Sequence, residues 1–325
     1  MANAEQIKAL VESHIDGDDE RFLSIAMQLA ASAARKGHNR FAQELKKLVD
    51  SAKSKDLPVQ QGKSSPIPVV QPRGELSGLL GVEYSKIRLS DMILNETVNE
   101  RLKRVILEHV QKDKLKHFGL SPRRKILLIG PPGSGKTMTA SALAGEMHLP
   151  LFTIQLDGLI TKYMGETSAK LRLIFDAIQQ TRAVYFFDEF DAVAGKRETS
   201  NDVGEIRRVL NSFLQFLEQD NSESLVVGAT NHPELLDRAV FRRFDDVIEY
   251  DVPNEHQIRK LIKERLALLS IEQVDWPVVL KEASGRSYAD ITNGCNDAAK
   301  DAILSDSEIV STDALVRALR ARQSK

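Results

Sequence analysis

The spacing of apolar positions changes along this chain of 325 residues, and each change marks a segment. Over residues 1–52 they recur at helical spacing in three short runs. Ile7, Leu10, Val11 and Ile15 share one face, Phe22, Ile25, Ala26 and Leu29 a second, and Phe41, Leu45, Leu48 and Val49 a third. Turn residues cluster between the runs at Asp16-Gly17-Asp18 and Gly37-His38-Asn39. A small N-terminal helical domain is expected there. Residues 53–88 lose the period and gather Pro58, Pro66, Pro68 and Pro72 among Gly, Ser and Gln, which suits an extended linker. From 89 to 253, strand-like and helix-like stretches alternate. ILLIG at 126–130, VYFF at 184–187 and LVVGA at 225–229 are unbroken apolar segments, the mark of strands buried on both faces, and another strand is expected after Arg242-Arg243. Residues 254–325 return to helical spacing, so an α/β domain with a parallel sheet is expected ahead of a small helical one.

Composition narrows the possibilities. A net charge of −1 argues against a general affinity for nucleic acid or for an anionic membrane surface. Cys295 is the only cysteine, which rules out an intrachain disulfide and fits a reducing compartment. It lies in GCNDAAKDAIL, where a helix with a buried thiol is expected. The start, MANAEQIKAL, lacks a basic stretch followed by an apolar one, and no apolar run approaches the roughly 20 residues that span a bilayer. A cytoplasmic protein without membrane insertion is the expectation.

The chemistry begins at GPPGSGKT, between the strand KILLI and the helix-forming stretch TMTASALAGEM. A phosphate chain needs many donors and no bulky side chains in the way. Gly130, Gly133 and Gly135 let backbone N–H groups wrap around such an anion, with Pro131, Pro132 and Ser134 completing the loop. The helix N-terminus, reached at Thr137 and Met138, adds its dipole. Lys136 is expected to reach the β- and γ-phosphates, and the Thr137 hydroxyl to ligate Mg²⁺. Binding of a nucleoside triphosphate follows.

Two further strand ends carry polar groups. Val184 to Phe187 run directly into Asp188 and Glu189, at the carboxyl end of a strand where α/β sheets gather their ligands. Asp188 is expected to hold the Mg²⁺ shell, since that ion favours oxygen donors. Glu189 is expected to accept a hydrogen bond from the attacking water and turn it toward the γ-phosphorus. The strand SLVVGATN ends in Thr230 and Asn231, and the Asn231 amide can bond both γ-phosphate and water. Arg242 and Arg243 admit two readings, as solvated surface arginines or as arginine fingers reaching into a neighbouring subunit, a task that suits an always-charged guanidinium.

The ordered set of phosphate loop, FDEFDA, GATN and LDRAVFRRF resembles the AAA ATPase clade, which includes katanin and spastin. The likeness covers about Leu89 to the C-terminus. It implies the AAA+ form of the P-loop NTPase fold with a C-terminal helical lid, ATP and Mg²⁺ as ligands, and a hexameric ring whose ATP sites are each completed by the next subunit. On that resemblance Arg242 and Arg243 are paired fingers, Asn231 is the first sensor, and Asp91, Met92 and Ile93 place backbone beside the adenine. Tyr163-Met164-Gly165 resembles the aromatic-hydrophobic-glycine loop that lines the family's pore, with Lys162 beside it. Arg207 and Arg208 fall where the family places ring contacts. GRSYADI resembles the lid motif SGADI, with Ser287, Ala289, Asp290 and Ile291 matching and Tyr288 standing where glycine is usual. Tyr288 then either stacks on the base or points away from it.

A ring ATPase that threads or remodels a protein substrate is the principal expectation, its N-terminal helices recognising substrate or adaptor. The alternative is a nucleotide-gated switch that regulates a partner, and a DNA-directed motor ranks well behind both. No HExxH or GxSxG motif occurs, so any proteolysis would come from a separate chain. The layout resembles stand-alone bacterial AAA ATPases paired with a subtilisin-like serine protease.

Overall fold

A computed structural model describes Pro72 and residues 74–159, 164–190 and 203–322 of the chain. The chain divides into two compact units, Met1–Val69 and Val70–Lys325. The expected N-terminal helices lie outside the described residues, as does most of the linker. In the second unit the strands are β1 (Leu80–Glu83), β2 (Lys125–Ile129), β3 (Leu151–Ile154), β4 (Val184–Phe187), β5 (Leu225–Thr230) and β6 (Asp246–Glu249). They form one sheet in the order β1-β3-β4-β5-β2-β6. All neighbours are parallel except β1, which runs antiparallel to β3 with Leu80 opposite Ile154.

β1 corrects an expectation. Residues assigned to the linker carry a 3₁₀ turn at Gly74–Gly78 and this edge strand, so the folded unit starts ahead of Leu89. Leu79 and Leu80 are buried, and that burial draws the segment onto the sheet despite its proline-rich approach. β3 was also unread in the sequence: LFTI is short and interrupted by Thr153.

Pleating sorts the core. Ile126 and Leu128 of β2, Val184 and Phe186 of β4, and Val227 of β5 face one way. There they meet α1 (Glu96–Val110) through Val98, Leu102 and Val105, and α3 (Lys136–Met147) through Ala140, Leu143 and Ala144. Leu127, Tyr185, Phe187 and Val226 face the other way, against α5 (Met164–Gln180) and α6 (Val203–Gln219). Strands buried on both faces have no polar alternation, which is why they read as unbroken apolar runs. Short helices α2 (Lys112–His117), α4 (Leu156–Leu159) and α7 (Arg238–Phe241) complete this part.

The C-terminal helices are α8 (Glu255–Arg265), α9 (Trp276–Ala283), α10 (Tyr288–Leu304) and α11 (Thr312–Ala321). They enclose a core of their own, built on Ile258, Ile262, Val279, Ile291 and Leu319. Cys295 is fully buried within it. Asn254, Asp275, Ser287 and Ser311 each cap a helix N-terminus through the side chain, so the helix starts were written in the sequence.

Candidate functional site

The three polar strand ends converge because β2, β5 and β4 are neighbours in the sheet and point the same way. The loop 130–135 leaves β2 and enters α3 with Gly135 as its N-cap. Gly130 admits no side chain: a Cβ there would lie 2.3 Å from the Tyr250 carbonyl oxygen. Gly133 has φ +70°, and a Cβ there would come within 2.7 Å of Ser287 Oγ and 2.9 Å of the Ala289 methyl. The Ala289 N–H donates to the Gly133 carbonyl at 3.2 Å, so the loop and the first turn of α10 are in direct contact. Behind the loop, the buried Tyr250 hydroxyl is hydrogen-bonded to Thr139 Oγ1 at 2.6 Å, which fixes α3 against the end of β6. Burial pushes the Tyr250 phenol well above its usual range, so it stays protonated.

Lys136 is buried, and its ammonium donates to the carbonyls of Gly130 and Pro131 at 2.8 Å each and to Asn231 Oδ1 at 2.7 Å. The loop lysine and the β5 amide are thus in contact across neighbouring strands. Thr137 Oγ1 donates to Asp188 Oδ2 at 3.0 Å, while Asp188 Oδ1 accepts the Glu189 N–H at 3.0 Å. Glu189 has φ +47°, an unusual backbone for a non-glycine residue. It is held there by the next residue, whose N–H donates to the Ala229 carbonyl at 2.7 Å while the Phe190 ring is buried against Phe213. The pinned turn leaves the Glu189 side chain exposed at the cleft.

A cleft of about 530 Å³ joins these groups. Pro132 to Met138, Asp188, Glu189 and Asn231 line one part, Asp91, Met92 and Ile93 another, and Tyr288 and Ala289 the lid side. Gly130 and Pro131 contribute through the carbonyls that hold Lys136. Tyr288 lines both this cleft and the neighbouring pocket that holds Asp251, and burial with the nearby Asp251 charge raises its phenol to about 12. The Thr137 hydroxyl and the Asp188 carboxylate are hard oxygen donors side by side, a set that suits Mg²⁺, which keeps several waters and takes one or two protein oxygens. No cluster of three or more His, Cys, Asp or Glu able to hold a metal occurs among the described residues.

The two arginines separate. Arg243 Nε lies 2.5 Å from Glu218 Oε1 at the end of α6, an ion pair within the subunit. Arg242 is exposed at the C-cap of α7 and has no ion pair among the described residues, and neither arginine lines the cleft. Tyr163 and Lys162 lie outside the described residues; Met164 and Gly165 open α5, and Arg207 and Arg208 fall in the first turns of α6.

Comparison with known proteins places this geometry. The family model described as ATPase family associated with various cellular activities (AAA) matches residues 126–252. An AAA family ATPase of Sinorhizobium fredii named y4kL, itself uncharacterized, is 32% identical over 310 residues, covering 94% of this chain and 90% of that protein. The chain belongs to the AAA family of ATPases. Its enzymatic activity is accordingly ATP hydrolysis. The proteasome-activating nucleotidase of Methanothermobacter thermautotrophicus is 36% identical over 65% of this chain and 53% of its own length. The ATP-dependent zinc metalloprotease FtsH of Lancefieldella parvula is 34% identical over 76% of this chain and 40% of its own. This ATPase thus spans only about half or less of those two relatives. The crystal structure of the FIGL-1 AAA domain shares the fold, with a TM-score of 0.63 at 23% identity over 81% of this chain and 93% of that one.

Some residues of the site were not legible beforehand. Tyr250 ends a strand as any core tyrosine does, and only the fold shows its hydroxyl on Thr139. Leu261, Arg265 and Thr292 line the cleft from the lid, where helical spacing assigns them to a core or to a solvent face. No helix among the described residues is long and apolar enough to cross a membrane.

Proposed function

We propose that this ATPase is a ring subunit, hexameric by its resemblance, that hydrolyses Mg²⁺-ATP at subunit boundaries to pull on a protein substrate. The observation that carries the reading is the meeting of Lys136, Thr137, Asp188, Glu189 and Asn231 on one cleft, while the exposed Arg242 lies away from it. In this mechanism the loop N–H groups of 133–137 cradle the phosphates, and Lys136 moves its ammonium from the loop carbonyls and Asn231 to the β- and γ-phosphates. Thr137 and Asp188 would hold Mg²⁺, which would supply positive charge against the phosphate oxygens. Glu189 accepts a hydrogen bond from the attacking water, and Asn231, released from Lys136, orients it. Asp91, Met92 and Ile93 receive the adenine.

Arg242 serves the cleft of the next subunit, where a guanidinium stabilises charge that develops in the transition state. Arg243 plays a different part from the one expected of paired fingers: its ion pair with Glu218 joins the chain just after α7 to α6. The relatives named as a proteasome-activating nucleotidase and as an ATP-dependent zinc metalloprotease support a protein substrate. Tyr163-Met164-Gly165, whose last two residues open α5, would grip that substrate without regard to sequence.

Mixing two disabled subunits tests the shared site. A Lys136→Ala subunit loses its own cleft but still presents Arg242; an Arg242→Ala subunit has the reverse defect. Each alone is expected to be nearly inactive, and phosphate release from the mixture should recover to a measurable fraction of wild type. A mixture as inactive as its components would count against completion of the site by a neighbour.

A further inference from the structure

Helix α1 carries two stripes along its length. Val98, Leu102 and Val105 lie against the sheet. Lys103, Ile106, Leu107 and Val110 follow at helical spacing, one position on and so turned by about 100°. This second stripe lines a groove of about 590 Å³, and its Leu107 and Val110 are 46% and 71% exposed. Leu89, Met92 and Leu94, from the segment ahead of α1, line the same groove, and Lys260 of α8 lines it from the lid. Single exposed apolar side chains are ordinary. Six around one concave surface match the lining of a ligand site, which adds a few placed polar groups.

Charge in the groove is one-sided. Glu146 is already engaged, since its Oε1 accepts the Leu89 N–H at 3.0 Å and its Oε2 lies 3.6 Å from Arg88 Nη1. Lys260 Nζ is 3.7 Å from Glu264 Oε1, an exposed pair of the weak kind. Lys103 has no hydrogen bond or ion pair among the described residues. It stands at the start of the stripe, about 10 Å before Val110 at 1.5 Å per residue. An apolar chain laid along Ile106, Leu107 and Val110 would therefore carry a negative group at Lys103. Met92 and Leu94 also line the nucleotide cleft, so the two sites share these side chains as a wall. On the cleft side, the Met92 methyl carbon lies 3.5 Å from the place a Cβ on Gly135 would take.

We propose that the groove binds an amphipathic carboxylate, a single apolar chain with one anionic head, and is coupled to the nucleotide cleft through Met92 and Leu94. The coupling, though not the groove, rests on the nucleotide reading given above. An occupant braces both side chains from behind and so tightens nucleotide binding, and nucleotide tightens its binding by the same factor.

Calorimetric titration of the full chain with decanoate, octanoate and decylammonium tests the groove. Decanoate is expected to bind once per chain and about tenfold more tightly than octanoate, the share of two buried methylenes. Decylammonium, with the same chain and the opposite charge, should bind far more weakly. Lys103→Ala should weaken decanoate binding by about 2- to 5-fold, and Leu107→Asp should abolish it. Both positions are exposed, and both variants should bind Mg²⁺-ADP as wild type does. Saturating decanoate should tighten Mg²⁺-ADP binding by about threefold or more in wild type and leave it unchanged in Leu107→Asp. Equal affinity for decanoate and decylammonium, or wild-type decanoate binding in Leu107→Asp, would overturn the proposal. So would Mg²⁺-ADP affinity indifferent to decanoate. Self-association that is lost in Leu107→Asp, with no decanoate bound, would give the groove to a second copy and overturn it too. Decanoate binding by a chain that binds no Mg²⁺-ADP would uphold the groove and overturn the nucleotide reading instead.

Discussion

Glu189 combines an acidic side chain at the mouth of the cleft with a backbone in the left-handed region. Such a conformation costs about 1–3 kcal/mol and persists only where neighbours hold it. Here the Asp188 carboxylate and the Ala229 carbonyl take the N–H groups on either side of the Glu189 carbonyl, and together they fix the turn. If Glu189 handles the attacking water, Glu189→Gln keeps the shape and the ATP affinity but loses the basic oxygen. Turnover is then expected to fall by about 10²-fold or more, the share typical of general acid–base catalysis. Phosphate release and equilibrium binding measured on one preparation would check this; a variant at wild-type rate would remove Glu189 from the role. The acid pair was plain in the sequence because four apolar residues lead straight into it. The division between Arg242 and Arg243 was not, since Glu218 sits on α6 and no spacing rule links it to Arg243.

At the scale of elements, the loop that enters α3 meets the first turn of α10. Gly133 is the contact, and its positive φ together with the crowding by Ser287 and Ala289 leaves no room for a methyl group. Gly133→Ala is expected to displace the lid from the phosphate loop and weaken ADP binding by about tenfold or more, with strain of about 1–3 kcal/mol at that position. Binding within a factor of two of wild type would show that the contact carries no such weight. The join of α1 to β2 makes a separate prediction. His109 is buried with its Nε2 2.8 Å from the Arg123 carbonyl, and burial, aided by the Arg182 and Arg124 charges, lowers its pKa although Glu108 and the carbonyl oppose this. The folded protein therefore keeps His109 neutral while the unfolded chain takes a proton below about pH 6.5. Stability should be level above that pH and fall as pH drops below it. Glu108 is also buried, yet the Arg123 N–H and Arg104 bonds win and lower its pKa, so its contribution is lost only in more acidic solution, below the ordinary carboxylate range near 4.5. Melting temperatures at pH 7.5 and 5.5 should differ more for wild type than for His109→Gln, and equal differences would refute the assignment. Long helices were legible from their period, and central strands from their unbroken apolar runs. Gly81 and Glu83 in β1 and Thr153 in β3 interrupt any such run, and neither strand is long enough to show an alternation instead.

For the whole molecule, the cleft, its lid and the exposed Arg242 make sense together when each site is shared between copies. In related phosphoryl-transfer enzymes an arginine supplied by a partner is worth about 10³–10⁵ in turnover. At about 1.36 kcal/mol per tenfold, that is roughly 4–7 kcal/mol of transition-state stabilisation. Family and fold could be reached from the ordered motifs, because each motif ends a strand of one sheet and so implies the others' positions. What the motifs leave out are contacts between distant segments, such as Gly133 with Ala289 and Tyr250 with Thr139. The most direct test of the account is ATP turnover per subunit, with Mg²⁺, across a wide range of protein concentration. Turnover per subunit is predicted to rise steeply as subunits assemble and then level off, and Arg242→Ala is predicted to stay flat and low. A measurable wild-type rate that is independent of concentration would mean that each subunit completes its own site, and would contradict the shared-site mechanism.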